Sequence, residues 1–323
     1  MSPRAWQLLN LLADGAFHSG DELGTMLGVS RATVFAELEH VADFGVQLQR
    51  IRGRGYRLAR GWQCLDGARV AQNLGDAALR FDLEILRQAG SSNTELLKRA
   101  AQGAASGSVL AVELQTSGRG RIGRTWHSGL GGALTFSLLW RFDCGLNALS
   151  GLSLAVGLAI FRSLAKFDAS GIELKWPNDI LADGGKLGGV LIEAQGDIYG
   201  PSAVVIGIGI NCHLPQKIEQ AIGQRASALD RICISPPDRN LLLASMLREL
   251  ACVLDEFDES GFSSLRAEWE LHHAFQDRPI ALQMPDGSSI PGIARGVGDS
   301  GELRLETAEG IRAYHSGEVG VAA

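Results

Sequence analysis

The chain has 323 residues, too many for one compact core, and this length implies two or three folded units. Apolar residues make up 46% and charged residues 20%, which excludes a disordered chain. A net charge of −6 excludes a surface that binds nucleic acid all over, but leaves room for a locally basic module.

Residues 1 to about 62 read as a winged helix-turn-helix. Trp6, Leu8, Leu9, Leu11 and Leu12 supply the apolar side of a first helix, and Asn10 and Asp14 interrupt any secretory apolar run, so a cytoplasmic protein is expected. Asp21 to Leu27 forms a second helix with acids at its start. Gly28-Val29-Ser30 turns the chain, and Ser30 caps a third helix from Arg31 to about Asp43, with Val34, Leu38 and Val41 on one face. VQLQRIRGRGYRL then alternates and turns at Gly53-Arg54-Gly55, as a hairpin wing would.

The central unit, about 66 to 272, mixes both signals. SSNTELLKRAAQ is expected to be helical. SVLAVELQ, GALTFSLLWRF, GIELKW, GGVLIEAQ and SAVVIGIGIN are expected strands, with Asp183-Gly184-Gly185 turning an antiparallel hairpin. The sheet is therefore mixed or antiparallel, with helices such as 149–167 and 239–258 packed on it: an α+β arrangement. The charge-free stretch Gly145 to Phe161 is slightly short for a membrane span, and Leu152 to Leu164 reads as a buried helix. From about 277 to 323, short β segments punctuated by Asp286-Gly287, Asp299-Ser300-Gly301 and Glu309-Gly310 predict a small β-barrel. Cys64, Cys144, Cys212, Cys233 and Cys252 lie far apart without a CxxC pair, which suits reduced thiols rather than a disulfide framework or a zinc site.

Two segments carry chemistry. Thr116-Ser117-Gly118-Arg119-Gly120-Arg121-Ile122-Gly123-Arg124 follows an apolar strand. Its three glycines let backbone approach a ligand, and its three arginines offer permanent charge to carboxylate or phosphate. It lacks the Walker A spacing, and the same composition also suits a solvated, RNA-binding arginine loop. The second segment is Lys175-Trp176-Pro177-Asn178-Asp179 followed by Gly184-Gly185-Lys186-Leu187-Gly188-Gly189. It holds two of only five lysines in the chain. Placed on the two arms of one hairpin, both ammonium groups would face one anionic ligand. A Trp-Pro packing corner with surface lysines is the alternative.

GRGRIGRTW, KWPNDI, GGKLGGVLIE and GIGIN, in that order and behind a winged helix, resemble the bacterial bifunctional biotin–protein ligases that also repress the biotin operon. The resemblance spans essentially the whole chain. It implies a class II synthetase-like catalytic domain and an SH3-like C-terminal barrel. It further implies biotin and ATP as substrates with Mg²⁺, and carries over residue by residue. Ser91-Ser92-Asn93 matches the biotin motif, with serine where the family has threonine; the hydroxyl is retained. Gln115 matches the glutamine near the ureido end, Arg119, Gly120 and Arg121 the loop closing over biotin and adenylate, and Arg124 its last arginine. Lys186 matches the lysine at the activated carboxyl and α-phosphate, so Lys186 and Arg121 are the expected catalytic cations. Lys175, Asn178 and Asp179 match the nucleotide and metal region, though no metal ligand is singled out. Gly207, Gly209 and Asn211 lie on a strand beside the pocket, and Trp126 is either pocket wall or ordinary core.

The wing, Arg50 to Arg60, holds Arg50, Arg52, Arg54, Arg57 and Arg60 and no acid, and would contact phosphates. Ser30, Arg31 and Thr33 suit base or phosphate contacts, whereas Glu37 and Glu39 do not. Over residues 1–60, seven arginines meet six acids, so protein contacts are a competing use of this module. The resemblance implies operator DNA, the biotin carboxyl carrier protein and, when adenylate is bound, a second copy of the chain as partners. The competing functions are a ligand-sensing transcription factor without ligase activity and a ligase for a related acyl cofactor such as lipoate.

Overall fold

The structure, a computed structural model, describes residues 1–59 and 63–321; Arg60, the last wing arginine, and the expected boundary near Gly61 lie outside the described residues. Local capping dictates the first three helices. Ser2 accepts from Ala5 N at the start of α1 (Pro3–Leu11), where Pro3 fits the first turn. Ser19 and Glu22 form a reciprocal capping box on α2 (Gly20–Leu27). Gly28 at φ +64° makes the expected turn, and Ser30 accepts from Thr33 N to open α3 (Arg31–Ala42), which buries Val34, Leu38 and Val41. The wing is β1 (Leu48–Ile51) paired antiparallel with β2 (Gly55–Leu58). His18 adds a bridge to Tyr56, and any Cβ at position 55 would lie 2.0 Å from His18 O, so only glycine fits there. The apolar faces of this module close over Leu114 and Leu130 of the central unit, so it is seated on that unit.

The central elements run α4 (Gly67–Leu74), β3 (Asp82–Ala89), α5 (Ser92–Ala101), β4 (Ser108–Gln115), β5 (Ala133–Phe142), α6 (Leu152–Ala165), β6 (Ile172–Lys175), β7 (Asp179–Ala182), β8 (Gly185–Gly196), β9 (Ser202–Asn211), α7 (Gln216–Ile222), α8 (Leu229–Ile232), α9 (Arg239–Ser260) and α10 (Arg266–Leu271). The seven strands form one mixed sheet in the order β3-β4-β5-β9-β8-β7-β6. Only β3 and β4 are parallel, joined by the crossover through α5; every other pair is antiparallel. Alternation along β4 divides the core: Val109 and Ala111 face the cluster built on α6 and α9, while Leu110 and Val112 face Leu96 and Ala100 of α5.

The structure corrects the sequence reading at one place. Lys175 and Lys186 are not on the two arms of one hairpin, because Trp176-Pro177-Asn178 is itself the β6–β7 turn and β7 lies between them. The Asp183-Gly184 turn joins β7 to β8 as expected. Two strands, β3 and β7, are additions to the expected set.

The last unit comprises β10 (Pro279–Gln283), β11 (Ser289–Val297), β12 (Leu303–Thr307), β13 (Gly310–Tyr314) and β14 (Glu318–Val321). They make an antiparallel sheet in the order β13-β12-β11-β10-β14, with a bulge in β11 between Ala294 and Val297. Ile280, Leu282, Leu303 and Leu305 belong to the same apolar cluster as the central unit, so the two share one core. Trp176, fully buried, donates from Nε1 to Gly301 O at 3.0 Å across that junction. Among the described residues no helix is long and apolar enough to cross a membrane.

Where the chain enters the central unit, residues 63–66 are clamped. Glu113 Oε1 accepts from Leu65 N at 2.5 Å, Arg239 donates to Gln63 O, and Asn240 Oδ1 accepts from Asp66 N at 2.7 Å. Arg239 Nη2 also lies 2.8 Å from Glu113 Oε2, a charge contact rather than an aligned hydrogen bond, with both side chains under one tenth exposed. Removing one partner of a buried pair strands the other charge in a low dielectric. Arg239→Ala is therefore expected to destabilise the central unit by about 3–5 kcal/mol, read from urea unfolding of the full chain, whereas an exposed pair such as Lys217–Asp43 is expected to be worth less than about 1 kcal/mol.

Candidate active site

The chain brings every expected ligand-binding residue of the central unit to one cavity of about 530 Å³. It is lined by Ser91, Ser92, Asn93, Gln115, Arg119, Gly120, Arg121, Arg124, Lys175, Asn178, Asp179 and Lys186. Gly207, Gly209, Asn211 and Trp126 line it too. Trp126 is thus wall rather than core, and a Cβ on Gly209 would come within 2.6 Å of its ring. Its indole Nε1 is buried without a hydrogen-bond partner.

One end of the cavity is lined mainly by neutral polar side chains, with the Arg119–Glu193 pair beside them. It lies where β3 and β4 end and α5 begins, stitched by Thr116 N to Ala89 O and Ser117 N to Gly90 O. Ser91 precedes α5 but its hydroxyl does not cap it, leaving the group for the cavity. Gln115 Oε1 accepts from Ser92 N at 2.8 Å. Ser137, fully buried on β5, donates to Asn93 Oδ1 at 2.5 Å and shares a 2.7 Å hydrogen bond with Ser92 Oγ. Asn93 Nδ2 donates to Leu191 O at 3.2 Å and to Glu193 Oε2 at 3.0 Å. A Cβ on Gly207 would reach within 2.1 Å of Asn93 Oδ1, so the bare backbone of β9 makes room for this amide.

The other end is cationic. The arginine loop folds back on itself, Arg119 bridging Thr125 and Gly120 N donating to Arg124 O at 2.7 Å. Arg121 donates from Nη1 to Asn178 Oδ1 at 3.1 Å, and Asn178 is itself held by donating to Val190 O. Burial pulls the Arg121 guanidinium below its ordinary value, against the pull of Glu318 and Asp179, and an arginine remains charged throughout. Lys186 Nζ sits 2.6 Å and Lys175 Nζ 4.0 Å from the two oxygens of Asp179. The closer contact lacks hydrogen-bond alignment, so Asp179 anchors the Lys186 ammonium by charge while its donors stay available. Arg124 pairs with Glu318 of β14. Among the described residues, no three His, Cys, Asp or Glu side chains group as a metal cage.

Sequence reasoning missed three contributors. Ser137 and Glu193 were legible only as polar interruptions of apolar strands, and Glu318 carried no signal, because the C-terminal sheet reaches the cavity through packing.

Comparison with known proteins places this geometry. The biotin/lipoate A/B protein ligase family model matches residues 86–211, the biotin protein ligase C-terminal domain 277–320 and a helix-turn-helix domain 4–57. The bifunctional ligase/repressor BirA of Salmonella typhimurium is 36% identical over 97% of this chain and 95% of its own. The chain belongs to the bifunctional ligase/repressor family. The biotin–[acetyl-CoA-carboxylase] ligase of Mycobacterium tuberculosis is 36% identical over 73% of this chain and 88% of its own. The biotin protein ligase from Aquifex aeolicus, solved in complex with biotin and ATP, superposes with a TM-score of 0.62 at 30% identity, covering 74% of this chain and 97% of that one.

In this ligase/repressor chain the winged module presents its expected contact residues outward. Ser30 and Arg31 are exposed and Thr33 half-buried; the Ser30 and Thr33 hydroxyls lie 2.9 Å apart, and Arg31 approaches Asp21 at 3.5 Å. Arg50 lies over the Phe35 ring at 4.9 Å, and Arg54 and Arg57 over Phe17 at 4.4 and 4.7 Å, while Arg52 is exposed on the turn. His18 sits between Asp14 at 2.8 Å and Glu22 at 3.2 Å. The hydrogen bond to Asp14 holds its imidazole above the ordinary 6.5, against the opposing effect of burial. Its contribution to stability is therefore complete below that value and lost as pH rises through the folded-state pKa. His18→Gln is expected to lower the Tm of the full chain more at about pH 5.5 than at about pH 8.5. An equal effect at both pH values would contradict the charged arrangement.

Proposed function

We propose that this protein activates biotin with ATP as biotinyl-5′-AMP, transfers the biotinyl group to a lysine of the biotin carboxyl carrier protein of acetyl-CoA carboxylase, and represses biotin synthesis genes when the adenylate is bound. The observation that carries it is one cavity with a neutral polar end and a cationic end. At the polar end, Asn93 Oδ1 has a remaining lone pair to accept from a ureido N–H, and the Gln115 amide can donate to a ureido carbonyl. Lipoate has no such ring groups and would leave these polar atoms unpaired, a large penalty for the wrong acyl cofactor.

A carboxylate is a poor acyl donor, so activation comes first. The biotin carboxylate attacks the α-phosphorus of ATP, an oxygen–phosphorus bond forms, and the bond to pyrophosphate breaks. Lys186 and Arg121 meet the charge shared between the two anions, each fixed in advance by Asp179 and Asn178. Mg²⁺ enters with ATP as part of the substrate, held chiefly by phosphates and water, which suits a cavity whose one central carboxylate is already occupied by two lysines. In transfer, the neutral acceptor amine attacks the biotinyl carbonyl, a C–N bond forms, AMP leaves with the electron pair of the broken C–O bond, and the new amide nitrogen releases one proton to solvent. No enzyme nucleophile is required. ATP supply and cysteines scattered along the chain without a CxxC pair fit a reducing cytoplasm.

The test is biotin-dependent ATP–pyrophosphate exchange without acceptor or DNA; no exchange above a no-biotin control would sink the ligase reading. Lys186→Ala is expected to slow single-turnover adenylation by a few hundredfold, about 3–4 kcal/mol, with a much smaller loss of biotin affinity by calorimetry.

For repression, a single wing offers few phosphate contacts at physiological salt, whereas two copies joined as a dimer read two half-sites and gain effective concentration. A direct route links cavity and module: Trp126 is in the wall, and four residues on Leu130 N donates to Phe44 O just beyond α3. Biotin plus ATP is expected to convert monomer to dimer by sedimentation and to tighten operator binding in parallel; a monomer with equal operator affinity in both conditions would refute the coupling.

A further inference from the structure

Arg119 looks like a phosphate ligand in the sequence, yet the structure spends its guanidinium elsewhere. Nη2 donates to Glu193 Oε1 at 2.7 Å and Nη1 to Thr94 Oγ1 at 3.1 Å. Glu193, on β8 and outside the cavity lining, uses its other oxygen to accept from Asn93 Nδ2 at 3.0 Å. Asn93 is 3% exposed, and its two amide hydrogens are consumed by Glu193 and Leu191 O, both pure acceptors. That fixes the amide with its oxygen toward Ser137 and the cavity, the orientation that accepts from a ligand N–H. On the other side, Arg119 is the first residue of the closed arginine loop, bridged to Thr125, and the same loop carries Arg121 to Asn178.

We propose that Glu193 is a positioning residue: its carboxylate ties the ring-reading Asn93 to the loop arginine Arg119, and this tether sets how long the activated intermediate is retained. The inference rests on the function proposed above. One carboxylate with one hydrogen bond to each side couples the two, because a ligand that holds Asn93 in place also presents Glu193 correctly to the loop, and loop opening costs the amide its charge-assisted partner. Glutamine at this position keeps shape but supplies only one acceptor oxygen, so it satisfies Asn93 or Arg119, not both.

The experiment measures dissociation of biotinyl-AMP, formed on the full-length enzyme from biotin and Mg-ATP, by chase with excess unlabelled biotinyl-AMP. Wild type, Glu193→Gln, Arg119→Ala and the double variant are compared, with single-turnover adenylation at saturating substrates and Tm measured for each. Glu193→Gln is expected to release the adenylate about tenfold faster, the loss of one charge-assisted hydrogen bond, while the saturated adenylation rate changes less than about threefold. The double variant is expected to release it no faster than the faster single variant, because both cut one tether. Release within about twofold of wild type, or a double variant whose effect is the product of the two singles, overturns the proposal. Equal losses in release, adenylation rate and Tm would mark a merely structural role and overturn it too; should Gln fail to fold, Glu193→Asp, which keeps the charge and shortens the reach, is read by the same criteria. A wild-type chain that forms no adenylate overturns the ligase reading itself, whereas one that retains adenylate equally with or without the Glu193 carboxylate overturns only the tether.

Discussion

In the proposed reaction two anions have to be brought within bonding distance in this cavity, and cations crowded together to allow it repel one another as strongly as they attract the substrates. The fold resolves this by giving each cation a holder that fixes its place without taking all its hydrogen-bonding capacity. Lys186 and Lys175 share Asp179, Arg121 leans on the neutral Asn178, and Arg124 reaches Glu318. Five cationic side chains and two carboxylates line the cavity, so it stays positive for an incoming triphosphate. The holders come from the β6–β7–β8 meander and from the far C-terminal sheet. A C-terminal unit packed independently would leave Arg124 without its partner, and the continuous apolar core through Leu282 and Leu305 prevents that.

At the opposite end the requirement reverses, from charge to exact hydrogen-bond parity in a place screened from water. Ser92, Asn93, Ser137 and Gln115 satisfy one another first, and what remains for a ligand is one acceptor here and one donor there. Such a network discriminates by what it leaves unpaired with the wrong ring rather than by what it gains with the right one. It needs space, which explains the bare strand: a side chain at Gly207 or Gly209 would displace Asn93 or Trp126.

How much of this was legible followed from where the information sits. The capping residue Ser30, the Gly28 turn and the long apolar strands announce themselves locally, and the structure has them where periodicity and capping put them. β3 was hidden because Asp82, Glu84, Arg87 and Gln88 break its apolar pattern; as an edge strand it keeps one side in water and draws its stability from parallel pairing with β4. β7 was hidden because four residues between two turns read as one loop, and its presence moves Lys175 two strands away from Lys186. The motifs delivered the cavity-lining side chains but not their supports. Glu113, Ser137 and Glu193 are single polar residues inside apolar strands, and that placement, costly unless satisfied, was the available signal.

The same economy bears on how a small ligand would govern DNA binding. Among the described residues the link between central unit and winged module includes a backbone hydrogen bond from Leu130 to Phe44, the Met1 amino group on Gln88, Cys64 on Asn10, apolar contact through Leu114 and Leu130, and the exposed Lys217–Asp43 pair. A few contacts of this kind transmit about 1–3 kcal/mol, enough to shift a loop or a domain angle but little against the salt-weakened affinity of one wing. Three wing arginines already lie on Phe35 and Phe17, which lowers the entropy of presenting them without adding charge. In the proposed dimer the modest bias acts on association instead, and association multiplies two weak half-site affinities by an effective concentration. A modest bias is therefore sufficient, provided the ligand acts on the interface between copies rather than on the wing itself.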